Sequence, residues 1–411
     1  MKSPGFTTRA VHEPGTKKDV HRALQFPIYA GVAYDFETAE TMADTYAGRR
    51  AAYAYARIAN PTVDAFEKKM TALEKGLATV AVSSGMSAIS TALINLLAEG
   101  DNIVAASTLF GGTYSLIKNV FRPIGVNVRF VPVNHLKAVE AAIDRRTRVL
   151  FLETISNPCT VVPDFAGISG IARRHNAVVI ADSTVTTPYL FKAGEFGVNI
   201  VIHSTTKYIS GGATSMGGAI VDLGNFDWSS VPALADYHRV KEMAFIARLR
   251  KEVYRETGSC LSPHNAYLQS LGLETLALRM DKVCRNAQAV AEFLAAQISV
   301  KSVIYPGLPS SPFHELALKQ FNGMCGGILA FKLSDKAACF RFLNKIALIR
   351  RASNLGDNKT LALHPASTLF AGFTGEEMKA LGVDDTFIRL SLGIEDVDDI
   401  IADIRQALGG I

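Results

Sequence analysis

Two residues near the ends of apolar runs could do chemistry that an ordinary surface residue cannot. Lys207 stands in Ile202-His203-Ser204-Thr205-Thr206-Lys207-Tyr208, just before the glycine-rich ISGGATSMGG. Burial disfavours an ammonium, so a lysine in an apolar setting becomes a nucleophilic amine suited to imine formation. An isolated lysine at such a position more often reads as a solvated loop residue. Asp182 closes the run Val178-Val179-Ile180-Ala181-Asp182-Ser183-Thr184. A carboxylate buried there needs a partner. A pyridine nitrogen suits it, because the carboxylate keeps the ring protonated and electron-withdrawing. A metal ion or a ribose is the generic alternative.

Three further strand ends carry weaker signals. Ser83-Ser84-Gly85-Met86-Ser87 precedes a long helical stretch, whose first N–H groups can bind a phosphate; an ordinary serine cap is the plainer reading. Ser204 and Thr206 offer hydroxyls to the same anion. Leu109-Phe110-Gly111-Gly112 leaves an aromatic free to lie on a flat ring, although such residues are usually just packed. Glu153-Thr154-Ile155-Ser156-Asn157-Pro158 ends another apolar run, with Asn157 able to reach a cofactor or substrate oxygen.

The elements that must position these residues follow from the pattern. Between Pro61 and Asp222, short Val/Ile/Leu runs (TVAVSS, NIVAAS, VNVRFVPV, RVLFLETIS, AVVIADST, VNIVIHSTT, GGAIVD) alternate with helical stretches such as TVDAFEKKMTALEKG and MSAISTALINLLAEG. Runs of this kind predict an α/β fold with a mostly parallel sheet buried on both faces. Ligands then bind at the carboxyl ends of the strands. A helical segment covers ALADYHRVKEMAFIARLRKEV, and a long one covers residues 261–297. The rest, with GGILAFKL, RFLNKIALI and TFIRLSLGIED, predicts a smaller α+β C-terminal domain. The division expected is an arm over 1–60, including Pro14-Gly15 and a short helix, that contacts a neighbouring subunit; a large domain over 61–255; and a small domain over 256–411.

Composition bounds the partners. With 411 residues, 48% hydrophobic and 20% charged, the chain can bury a large core; a net charge of +5 without a basic run argues against nucleic acid. Five scattered cysteines predict neither a disulfide framework nor a metal site. No apolar stretch reaches the ~18 residues of a membrane span, and a cytoplasmic location is expected.

The motifs together resemble the Cys/Met metabolism enzymes that depend on pyridoxal 5'-phosphate (PLP), a family that includes cystathionine synthases and lyases, methionine γ-lyase and homoserine-ester sulfhydrylases. The resemblance covers nearly the whole chain through YARIANPT, SSGMSA, LFGGTY, ETISNP, ADSTVTTP, HSTTKYISGGATSMGG, GSCLSPHNAYL, ASNLGDNKTLALHPAST and FIRLSLGIED. It implies the aspartate-aminotransferase-like fold (fold type I) and an imine between Lys207 and PLP. Gly85, Met86, Ser204 and Thr206 are implied to bind the phosphate. Tyr55 and Arg57 are implied to reach a neighbour's phosphate, making a homo-oligomer, most commonly a tetramer built as a dimer of dimers. Asp182 is implied to face the pyridine nitrogen with Thr184 nearby, Phe110 to stack on the ring, and Asn157 to contact cofactor or substrate. Arg389 and Asn354 are implied to hold the substrate carboxylate.

Within the family, ASNLGDNKTL and GSCLSPHNAYL resemble the sulfhydrylases that use O-acetylhomoserine or O-succinylhomoserine. Methionine γ-lyases usually have a cysteine where this chain has Gly112. Most members have a tyrosine where this chain has Phe110, which cannot protonate a leaving group. A carboxylate leaves without a proton, whereas a thiolate, whose conjugate acid has a pKa of about 8.5, is helped by one. The expected reaction is γ-replacement on an O-acylhomoserine by sulfide or a thiol, in methionine biosynthesis. Methionine γ-lyase and cystathionine γ-synthase or lyase are the alternatives. Two departures, Leu369-Phe370 after HPAST and a short segment between Asp222 and Ala244, point to altered access and to a donor larger than sulfide or carried by a protein. A dinucleotide-dependent oxidoreductase is disfavoured by the absence of GxGxxG after the first strand. An inert binding paralogue is disfavoured by the presence of both Lys207 and Asp182.

Overall fold

The computed structural model describes residues 4–12, 19–409 and 411; the Pro14-Gly15 pair of the expected arm lies outside them. Seven strands form the first sheet: β1 (Ala78–Val82), β2 (Asn102–Ala106), β3 (Asn127–Val131), β4 (Thr147–Glu153), β5 (Val178–Asp182), β6 (Ile200–His203) and β7 (Gly218–Asp222). Their order is β1-β7-β6-β5-β4-β2-β3. Every apolar run thus becomes a strand, and the polar tails fall at or just beyond strand ends.

The strand directions bear out one expectation, and the burial of one run corrects another. The last run, β7, is antiparallel to both neighbours, β1 and β6, while β6, β5, β4, β2 and β3 pair in parallel. The sheet is therefore mostly parallel, as expected, with β7 running against the other strands. The run VNVRFVPV is not buried on both faces: β3 is an edge strand whose residues alternate between exposed and half-buried up to buried Val131. The inner strands are almost fully buried, because helices cover both sides.

The covering helices begin where the side chains dictate. Asn60 accepts from the N–H groups of Thr62 and Val63 to cap Pro61–Glu74, with proline at its first turn. Asp164 caps Phe165–Arg174 through Gly167, and Ser84 caps Gly85–Leu96 through Ser87. The long stretch over 261–297 is two helices, Pro263–Glu274 and Leu276–Ala295, separated at Thr275 (φ −102°, ψ 5°). There the Gly272 carbonyl accepts from Arg279, which also donates to the Tyr208 carbonyl. Tertiary contacts with the Lys207 loop thus break a helix that periodicity alone continues. The stretch over 233–253 is also less regular than expected: 3-10 turns kink at Lys241 (φ 50°) before the helix Ala244–Arg248.

The second sheet contains β8 (Ser302–Ile304), β9 (Ile328–Lys332), β10 (Arg350–Arg351), β11 (Leu361–Leu363) and β12 (Phe387–Ser391), in the order β10-β11-β12-β9-β8. β12 lies between β11 and β9, antiparallel to both, and carries Arg389 at its centre. Apolar side chains from both sheets join one continuous core, which includes Ile328 and Leu390 from the second sheet and Val179 and Ile202 from the first. Among the described residues, no helix is long and apolar enough to cross a membrane.

Candidate active site

At the carboxyl ends of β1, β4, β5 and β6 lies a cavity of about 370 Å³. Its walls contain Gly85, Met86, Phe110, Asn157, Asp182, Thr184, Ser204, Thr206 and Lys207. Residues separated by up to 122 positions therefore meet where the strand ends predict. A larger cleft beside Cys284 and Cys325, about 510 Å³, gathers none of them.

The phosphate-binding candidates meet through a close contact. A Cβ on Gly85 would lie 2.5 Å from the Cβ of Ser204, so only glycine lets the start of the helix approach the loop after β6. The first N–H groups of that helix have no intrahelical acceptor and carry the positive end of its dipole. The Ser204 N–H donates to Oγ1 of Thr184 at 2.8 Å, tying the β6 loop to the β5 loop. The Thr206 hydroxyl donates to the Gly217 carbonyl at 3.1 Å and accepts from the Gly217 N–H at 3.0 Å.

Asp182 accepts from the Thr184 N–H at 3.0 Å, and no lysine or arginine pairs with it among the described residues. Burial raises its pKa, and the bonds from Thr184 oppose that rise. Lys207 faces the opposite balance. Burial, then the nearby Arg389 charge, lowers its pKa to about 8. Its Nζ donates to Oδ1 of Asn354 at 2.6 Å. The amine is thus held by a neutral amide rather than by a carboxylate.

Arg389 is completely buried, with its pKa lowered to about 10 chiefly by burial. It donates to Oδ1 of Asn157 at 3.2 Å and to the Asn354 carbonyl at 2.6 Å. Its Nε–H finds no acceptor among the described residues. A buried guanidinium without a carboxylate, and with donors to spare, suits an anionic ligand. Tyr55 and Arg57 lie elsewhere: Arg57 donates to the Arg255 carbonyl at 2.5 Å and stacks over Tyr55, and neither lines the cavity of its own chain.

The cavity has walls beyond those that the strand ends predict. Glu153, the last residue of β4, faces the cavity beside Asp182; the sequence signal was the same one that marks Asp182, a carboxyl closing an apolar strand. Ile89, Ile155, Val185, Met216, Ser353 and Leu355 also line it, and nothing in their local pattern distinguishes them from core or loop residues. Leu369, noted as a departure from the family pattern, is a wall residue as well.

The dry amine, the unpaired carboxylate and the glycine-floored helix start fit an aldehyde-bearing, phosphorylated pyridine. Residues 7–409 match the Cys/Met metabolism PLP-dependent enzymes. The chain belongs to that family. It is 40% identical to the L-methionine gamma-lyase of Pseudomonas putida over 99% of this chain and 98% of the relative. It is 38% identical to the sulfhydrylase FUB7 of Gibberella moniliformis over 98% of this chain and 96% of that one. Among solved structures, it matches the O-acetylhomoserine sulfhydrylase of Wolinella succinogenes at 41% identity and TM-score 0.80, covering 98% and 100% of the two chains. A Campylobacter jejuni protein assigned as an O-acetylhomoserine (thiol)-lyase superposes with TM-score 0.92 at 34% identity, covering 98% and 99%, and carries a pyridoxylated lysine. The fold is accordingly that of the fold type I PLP enzymes, the cofactor is PLP, and the family's chemistry is elimination or replacement at Cγ of amino acids.

Proposed function

We propose that the protein is a homoserine-ester sulfhydrylase, replacing the acyl group of O-acetyl- or O-succinylhomoserine with sulfide or a thiol. The net change breaks the Cγ–O bond and forms a Cγ–S bond; the thiol proton balances release of the carboxylate. The observation that carries this reading is the packing of Phe110 against Gly112. A Cβ at 112 would lie 2.6 Å from Cε1 of Phe110. The ring therefore fills the room of the side chain that methionine γ-lyases usually carry there, and Phe110 has no hydroxyl to protonate a thiolate. A carboxylate, with a conjugate-acid pKa of about 4, needs no such help.

The roles of the other residues follow from their chemistry. PLP supplies an electron sink for charge that develops at Cα. Asp182, left without a cation by the chain itself, is the partner for its ring nitrogen. Lys207, neutral in part at pH 8, takes the proton from Cα and delivers it along the substrate. Arg389 grips the α-carboxylate, with Asn354 and Asn157 fixing its guanidinium. Gly85, Met86, Ser204, Thr184 and Thr206 form the phosphate end. The exposed Tyr55–Arg57 pair serves a second copy's phosphate, which makes the enzyme an oligomer, a tetramer by family habit. Five free thiols suit a reducing cytoplasm.

The second reading, methionine γ-lyase, is favoured by the identity to the Pseudomonas putida relative. One experiment separates them. The PLP-loaded protein is given each ester with sulfide, methanethiol or cysteine, and methionine alone. Homocysteine or methionine from one ester supports replacement and names the acyl group. Faster release of α-ketobutyrate from methionine than consumption of either ester overturns the proposal.

A further inference from the structure

The reaction described above leaves one ionisable group in the cavity without a task. Glu153 is buried, and each oxygen of its carboxylate has a backbone partner. Oε1 accepts from the Phe110 N–H at 2.6 Å, and Oε2 accepts from the Asn157 N–H at 3.2 Å. These donors belong to different loops, one after β2 and the other after β4. Phe110 carries the ring on one side of the cavity. Asn157 accepts from Arg389, the buried guanidinium, at 3.2 Å. One carboxylate therefore connects the stacking ring to the arginine through two short links. Glu153 is also the register partner of Asp182 across β4 and β5, so both side chains leave the same face of the sheet.

We propose that Glu153 is a positioning residue: its carboxylate ties Phe110 and Asn157 to one point in the cavity wall and thereby sets the ring and Arg389 relative to Lys207. The two oxygens of one carboxyl group give both N–H groups an acceptor at a fixed separation. Burial and the neighbouring Asp182 raise the pKa of Glu153 to about 8, so a carboxyl is kept here against its own desolvation. An apolar residue would fill the space without that penalty but would leave two buried N–H groups unpaired.

The test compares wild type, E153Q and E153D, each stripped of cofactor and reloaded. Glutamine keeps the volume but turns an N–H₂, which cannot accept, toward one of the two donors; aspartate keeps both carboxyl oxygens but is one methylene shorter. E153Q is expected to unfold, without cofactor, within a few degrees of wild type. It should bind PLP about tenfold more weakly, alter the visible circular dichroism of the bound cofactor, and lower kcat about a hundredfold on whichever amino acid the enzyme uses. E153D should recover part of each loss. In an F110A background, E153Q should change PLP affinity less than in wild type, because the backbone N–H at 110 remains but the ring that it positions is gone. Unchanged affinity and dichroism in E153Q, or an equal loss with and without Phe110, overturns the proposal. Should E153Q fail to fold, the same readouts on E153D decide, and unchanged values overturn it. Cofactor affinity and dichroism need no substrate, so this outcome is independent of the sulfhydrylase reading.

Discussion

Lys207 donates from Nζ to Oδ1 of Asn354 at 2.6 Å, across 147 residues of chain. Burial, and then the Arg389 charge, lowers the pKa of the amine to about 8, and the neutral amide brings no carboxylate to raise it again. Only the unprotonated amine can attack an aldehyde. PLP capture by the cofactor-free protein should therefore rise with pH around a midpoint near 8, well below the ordinary lysine value. Asn354→Asp adds a carboxylate beside the ammonium, favours the charged form and should move the midpoint upward by about one unit or more. Absorbance on mixing with PLP at a series of pH values measures both.

The same depression has a stability consequence. A base whose pKa is lowered on folding contributes fully above its unfolded value of 10.5 and loses that contribution as pH falls to about 8, because the unfolded chain takes up its proton first. Lys207→Met should flatten this part of the profile in the cofactor-free protein. Chemical denaturation at pH 7.5 and 10.5 reports it, and the variant should gain more at the lower pH.

Gly112 and Phe110 exclude each other's space. Gly112→Cys should force the ring off its seat, since the new Cβ would lie 2.6 Å from Cε1 of Phe110 and 3.4 Å from Sδ of Met86. Overpacking of this kind costs about 1–3 kcal/mol. The thermal midpoint should fall and ester turnover with it, and the second change Phe110→Leu should restore the midpoint.

Phe110→Tyr tests the leaving-group argument directly. A phenol over the cavity adds a proton donor, and general acid help is worth about a hundredfold or more when positioned. Release of α-ketobutyrate from methionine should increase at least tenfold, while turnover of the preferred ester changes by less than threefold. Steady-state assays on both substrates decide it.

Arg389 should act on binding more than on rate. Arg389→Lys retains the charge but not the fork, and loses at least one charge-assisted bond worth about 1.5–3 kcal/mol. KM for the ester should rise about 10- to 100-fold, with kcat falling less. A large fall in kcat at unchanged KM would remove the arginine from carboxylate binding.

How much of this is legible in the sequence varies residue by residue. The runs ending at Glu153, Asp182 and His203 announce strands whose polar ends meet, since a parallel sheet aligns its carboxyl ends whatever the order of its strands. Lys207 and Asp182 were therefore identifiable together. The direction of β7 was not, because an apolar pentapeptide such as GAIVD pairs equally well either way. The break at Thr275 was also invisible, because it depends on Arg279 reaching carbonyls of Tyr208 and Gly272.

The amino-acid sequence by itself determined the family, the cofactor and the strand ends that hold it, because those depend on local order: residue type, apolar run and the turn that follows. Tertiary structure alone decided which groups share an environment. Lys207 has a neutral partner, Arg389 is buried without a carboxylate, Phe110 fills the space above Gly112, and Glu153 holds two loops at once. Each depends on distances between segments far apart in the chain, and on burial, which no single stretch of sequence possesses.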